Sequence, residues 1–122
     1  MNHIIEYIKQ KYDPCSIILY GSYADGTNNL NSDFDALVLS HNYEQFHDTS
    51  FVNGVQLDLL VYPVSYFDEA YDCNDFIQIF DGRIIMDSND RGKPLQAKVL
   101  SYLQDQPQKP REEIAAGVDW CG

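Results

Sequence analysis

The chain has 122 residues and carries 19 acidic against 8 basic side chains, a net charge of −11. A domain of that length buries roughly two-thirds of its unfolded surface, so a true core is within reach, but a surface this acidic does not grip long nucleic acid, where Lys and Arg must displace counterions from phosphate. No apolar run approaches the about 20 residues of a membrane-spanning helix, and a start containing His3 and Glu6 does not read as a secretion signal, so a cytoplasmic protein with no membrane partner is expected.

Ile4, Ile5, Ile8 and Tyr12 recur at helical spacing, and Pro14 stops that helix. Ser16 to Tyr20 is a short β-type run that ends at Gly21-Ser22. There a glycine lets the backbone turn sharply and approach a ligand, and a phosphate fits on backbone N–H groups. The run from Phe34 to Ser40 is almost wholly apolar, with Asp33 and Asp35 at its entrance. Side chains at i and i+2 of a strand share a face, so these two carboxylates point the same way.

Residues 41 to 51 are polar and aromatic and read as a loop or irregular crossing. Gly54 to Tyr62 is a further β run with Asp58 embedded among Leu and Val. An ionised carboxylate in such a run carries a heavy desolvation cost unless it is paired or coordinates a cation. If this strand lies beside the one starting at Phe34, three acids converge on one patch, and a hard divalent cation with oxygen ligands, Mg²⁺ above all, relieves their repulsion.

Pro63 opens a short helix over residues 64 to 71, with acids in its first turns. Ile77 to Phe80 and Arg83 to Met86 flank Asp81-Gly82, which predicts a hairpin or a helix end followed by a strand. Lys93 to Gln104 is a helix with Leu95, Val99, Leu100 and Leu103 on one face. Cys15, Cys73 and Cys121 are odd in number and share no metal-ligand spacing, so reduced, packed thiols are expected. His3, His41 and His47 form no ligand set and read as surface or loop residues.

Gly21-Ser22, ten intervening residues, Asp33-Phe34-Asp35 and the later Asp58 together resemble the nucleotidyltransferase superfamily that includes DNA polymerase β. The spacing is similar to its minimal nucleotidyltransferase branch, to aminoglycoside nucleotidyltransferases and to the nucleotidyltransferase antitoxins that pair with HEPN toxins. The likeness covers residues 15 to 62. It implies an α/β (α+β) nucleotidyltransferase fold, a short mixed sheet flanked by helices, and transfer of a nucleoside monophosphate from an NTP to an acceptor hydroxyl with two metal ions, Mg²⁺ or Mn²⁺. By position, Gly21, Ser22 and Ser32 would bind the nucleotide. Asp33 and Asp35 would ligate both metals, and Asp58 would ligate the catalytic metal and help activate the hydroxyl. Phosphoryl displacement needs charge neutralised on the attacking and leaving oxygens, which is what two metals supply.

No Lys or Arg occurs between Tyr12 and Gly82. A triphosphate must then be neutralised by Mg²⁺, by backbone N–H groups or by basic residues brought from elsewhere, and an acidic cleft favours a cationic acceptor. Residues 1–105 read as the catalytic domain. Residues 106–122 read as a linker, Gln106 to Pro110, and the start of a helix whose Ile114, Ala115, Val118 and Cys121 form an apolar stripe. That stripe is expected to lead into a helical second domain or to meet a partner chain. Two functions follow from the resemblance: Mg-dependent transfer of AMP from ATP to a small molecule such as an aminoglycoside, or an antitoxin-like module that binds or adenylylates a HEPN-type protein.

Overall fold

The computed structural model describes residues 2–29, 32–88 and 90–105. The linker and helix expected over 106–122 lie outside the described residues. Helix α1, Asn2–Tyr12, lays Ile4, Ile5, Ile8 and Tyr12 onto one face of a sheet. The chain leaves it through Asp13, at φ 45°, whose N–H donates to the Lys9 carbonyl at 3.0 Å. Pro14 has no N–H with which to continue a helix, and strand β1, Pro14–Tyr20, begins there. The strand therefore starts two residues before the Ser16 to Tyr20 run.

The remaining strands are β2 (Phe34–Ser40), β3 (Phe46–Asp48), β4 (Phe51–Val52), β5 (Val55–Pro63) and β6 (Arg83–Asp87). Among the described residues the sheet has the order β3-β5-β2-β1-β6, with β4 paired to β5 off that path. Only β2 and β5 run parallel; the other pairs are antiparallel. Alternation along the strands divides the apolar side chains between two layers. Ile17, Leu19, Ala36, Val38, Leu57, Leu59 and Val61 meet α1. Ile18, Leu37, Leu39 and Tyr62 meet Phe76, Ile79, Leu95 and Val99 on the other face. Strands buried on both faces are apolar throughout, which is why β2 shows no polar alternation after Asp35.

The second layer is built from two 3₁₀ stretches, Val64–Asp68 and Cys73–Ile79, and helix α3, Gly92–Asp105. The helix expected over 64 to 71 is thus a shorter 3₁₀ turn, and the Asp81-Gly82 turn joins a helical stretch to β6 rather than two hairpin strands. Phe76 is fully buried, with ring centroids of Tyr62 and Phe67 each 5.1 Å away. Tilted ring pairs of this kind add about 0.5–1.5 kcal/mol each beyond burial. They hold the layer over the later half of β5. The start of α3 is capped by Asp87, whose Oδ1 accepts from the N–H groups of Arg91 and Gly92 at 3.0 and 2.8 Å and whose Oδ2 accepts from that of Lys93 at 3.0 Å; these donors have no partner within the helix. Cys15 and Cys73 are buried and free. No described helix is long and apolar enough to cross a membrane.

The tract 41 to 51, expected as a loop or irregular crossing, holds the short strand β3 and the first residue of β4. The cause is a buried carboxylate. Asp48, 1% exposed, accepts from the Tyr12 hydroxyl at 2.5 Å, the Tyr7 hydroxyl at 3.0 Å and the Ser50 N–H at 2.9 Å, with Lys11 Nζ 3.6 Å away. Burial works against its ionisation, yet the bonds from Ser50, Tyr12 and Tyr7 hold the carboxyl well below the usual range. This cluster ties the edge strand β3 to α1.

Candidate active site

β1 ends, and β2 and β5 begin, at one end of the sheet, and the three proposed acids lie there. In the parallel pair Asp35 stands opposite Asp58, and in the antiparallel pair Tyr20 stands opposite Asp35. Directly paired residues share a face, so Tyr20, Asp35 and Asp58 form a row across three strands. The row continues the face of Leu37 and Leu60, beyond the aromatic layer that covers Tyr62. The two carboxyl groups lie close enough for a proton on one to bond the other. Asp35 is pushed up to about 7 by burial first, then by that bond and by the charges of Asp58 and Asp33. The same patch pushes the Tyr20 phenol up to about 12, through burial and then the charges of Asp58 and Asp35. A phenol so placed keeps its proton and remains a donor at neutral pH.

Gly21 follows Tyr20 at φ 76° and ψ −158°, a region open essentially to glycine alone. It is also pressed against the acid row: a Cβ there would meet Asp35 Oδ2 at 2.5 Å. Ser22 opens the short helix α2, Ser22–Asp25, whose first turn closes through the Ala24 N–H onto the Gly21 carbonyl at 3.0 Å. Asp33 is exposed just before β2 and bears on Asp35 through its charge. Ser32 serves its own loop, its Oγ accepting from the Asn29 N–H at 2.9 Å and its N–H donating to the Asn29 carbonyl at 3.1 Å.

Among the described residues no group of three His, Cys, Asp or Glu side chains is set around one point as a metal site. Asp35 and Asp58 are joined, and Asp33 flanks them. The donor set still suits a divalent cation: hard oxygens only, and a pair that ionises fully near neutrality only if a positive charge comes between. Asp35, Asp58 and Asp33 are the residues that would hold it.

Two residues of this site are not legible as such in the sequence. Tyr20 joins it through register. His47 is on the surface, one of the two placements expected for it, but in a strand rather than a loop: β3 pairs it with Leu60 and brings its Nε2 to 2.5 Å from Asp58 Oδ1. Its only sequence signal is the residue that follows it, Asp48, the anchor of β3. Of the described cations, Lys11 is held over the rings of Tyr7 and Tyr12 at 5.4 and 5.3 Å, Lys98 lies over Tyr71 at 4.9 Å, and Arg91 pairs with Asp68 at 2.8 Å. Arg83 begins β6 opposite Leu19, so its backbone stands at the same end of the sheet as Gly21.

The sequence profile of the family described as "Nucleotidyltransferase domain" matches residues 1–93. No curated protein matches the chain. Among solved structures, a toxin-antitoxin crystallised with AMP-PNP is 20% identical, with 84% of this chain and 86% of that one covered at a TM-score of 0.56. Two mutants of the toxin-antitoxin MntA-HpeT are 17% and 19% identical, each with 84% of this chain and 85% of that one covered, at TM-scores of 0.54 and 0.55. At such identities the likeness is one of fold, and it agrees with the mixed sheet and flanking helices seen here. The family profile takes in most of the chain, from the first residue to the start of α3, and on that ground this chain belongs to the nucleotidyltransferase domain family and its chemistry is nucleotidyl transfer.

Proposed function

We propose that the chain moves a nucleoside monophosphate, AMP from ATP, onto a hydroxyl of a partner protein of HEPN type, as an antitoxin-like module: the hydroxyl oxygen bonds the α-phosphorus, the α–β phosphoanhydride bond breaks and pyrophosphate leaves. The observation that carries this reading is the likeness to chains of similar extent taken from toxin-antitoxin assemblies, one of them with AMP-PNP. Mg²⁺ or Mn²⁺ bound at Asp33, Asp35 and Asp58 supplies charge neutralisation on the attacking and leaving oxygens. The chain's own residues do the rest. Gly21 and Ser22 let the triphosphate approach the backbone, with Ser32 fixing the loop behind them. Asp58 takes the proton of the acceptor hydroxyl, and the Tyr20 phenol donates towards the same patch.

The acidity of the site supports a second acceptor class, a cationic small molecule such as an aminoglycoside, since the described span from Tyr12 to Gly82 has no Lys or Arg to repel it. Either way the triphosphate needs positive charge beyond the metals. A partner chain or a further helical domain supplies it in this reading, and Arg83 is this chain's own contribution at that end of the sheet.

The test is mass spectrometry of the purified chain incubated with ATP and Mg²⁺, in one arm with cell extract and in another with a panel of aminoglycosides. A protein heavier by one AMP is the expected product. AMP on an aminoglycoside alone would replace the first acceptor with the second.

A further inference from the structure

We propose that His47 is a positioning residue for Asp58: its imidazole N–H holds one oxygen of that carboxylate so that the group presents itself to Asp35 and to the reacting centre. The inference rests on the reading of Asp58 given above. Four observations lead to it. His47 Nε2 lies 2.5 Å from Asp58 Oδ1. A carboxylate oxygen accepts, so Nε2 is the nitrogen that carries the proton. The contact joins neighbouring strands, because His47 pairs with Leu60 on β5 and Asp58 lies two residues earlier on the same face.

The second observation is that the pair is exposed, His47 by 55% and Asp58 by 40%. Such pairs contribute about 0–1 kcal/mol to stability, so fold maintenance gives little reason for it. Third, β3 is rigidly placed. Asp48, on the opposite face from His47, is buried and tied to Tyr7, Tyr12 and Ser50, so the edge strand is anchored from beneath while His47 reaches over the top. Fourth, His47 also lines a cleft of about 250 Å³ with Gln45, Phe46, Leu60 and Tyr62. The imidazole thus stands between that cleft and the Asp58 carboxylate it touches.

A carboxylate in a strand has free rotation about its side-chain bonds unless a partner fixes it. Asp58 has Asp35 on one side, a like-charged group that orients it only while a proton or cation lies between them. His47 supplies a fixed donor on the other side, the arrangement in which an outer hydrogen bond sets the direction of a metal-binding or proton-accepting group.

His47→Ala and His47→Gln, made in the full chain, test this without any acceptor. In the metal-free protein the imidazole ¹H–¹⁵N spectrum of His47 is expected to show the tautomer protonated on Nε2, with an Nε2 shift that Asp58→Ala changes. With Mn²⁺ alone as the probe, His47→Ala is expected to weaken binding by ~10- to 100-fold, with His47→Gln, which retains an N–H donor, recovering part of the loss. Thermal unfolding of both variants should follow wild type. An unprotonated Nε2, a signal indifferent to Asp58→Ala, unchanged or tighter Mn²⁺ binding in His47→Ala, or equal loss in both variants overturns the proposal. If Asp35→Asn binds Mn²⁺ as wild type does, the metal reading of the acid pair fails, and the imidazole spectrum still decides whether His47 holds Asp58.

Discussion

The missing side chain of Gly21 and the carboxylate of Asp35 occupy the same space: a Cβ on Gly21 would stand 2.5 Å from Asp35 Oδ2. The turn and the acid row are therefore one unit. The Asp35 carboxylate has this position because Gly21, the residue just past the end of the neighbouring strand, has no side chain, and Gly21 also holds a backbone angle that other residues avoid.

Gly21→Ala should accordingly fail twice. The angle alone costs about 1–3 kcal/mol, and the new methyl group must push Asp35 out of register with Asp58. Chemical denaturation should show the stability loss, and nucleotide turnover should fall with it. An alanine variant of wild-type stability would mean that the turn relaxes freely and that glycine is not needed there.

Asp35→Asn and Asp58→Asn should abolish turnover while leaving the fold intact, because an amide neither holds a cation nor takes a proton. Losses on the order of several kcal/mol of transition-state stabilisation are expected. Mg²⁺ or Mn²⁺ should raise the melting temperature of wild type, since a ligand that binds only the folded state stabilises it, and should not do so for Asp35→Asn. Near-wild-type turnover in either variant at saturating Mg²⁺ would remove these residues from the site.

The raised Asp35 carboxyl sets a pH dependence. Its pKa in the fold is about 7 against 3.8 for an unperturbed aspartate, so between those values the folded state binds more protons than the unfolded one. Stability then falls as pH rises. The contribution is fully present below about pH 4 and is lost as pH climbs towards 7 in the metal-free protein. Denaturation across this range with and without Mg²⁺ measures it, and Asp35→Asn should flatten the slope. A metal-free protein that gained stability from pH 5 to pH 7 through this group would contradict a carboxyl raised by burial and by Asp58 and Asp33.

Asp48 gives the opposite sign. Its carboxyl is held below 3.8 by Ser50, Tyr12 and Tyr7, so its contribution is present above about pH 4 and is lost as pH falls further. Asp48→Asn removes charge from bonds worth about 1.5–3 kcal/mol each and should destabilise the chain at neutral pH by an amount of that order. Because the same residue anchors β3, the imidazole signal of His47 should broaden or shift in this variant. A variant with unchanged stability would show that Lys11 and the two tyrosines tolerate a neutral partner.

What the amino-acid order determines here is local. A 3.6 period shows in Ile4, Ile5, Ile8 and Tyr12, a β run ends where Gly21 allows a turn, and the i, i+2 spacing marks Asp33 and Asp35 as an acid pair, although β2 itself begins only at Phe34. The spacing of that turn from the acid pair carries the family, since the intervening loop must return the chain to a fixed neighbour strand. Tertiary structure decided everything that depends on register between distant segments. Asp58 lies opposite Asp35 because β5 pairs parallel to β2 at that one offset; a one-residue slip would have turned it to the α1 face. Tyr20 entered the site for the same reason. β3, only three residues long, has too little alternation to announce itself, and it exists because β5 offers an edge and Asp48 finds buried donors on α1. His47 stands beside Asp58 as a consequence, a placement set by a hydrogen-bonded cluster on the other face of the sheet rather than by any pattern of its own.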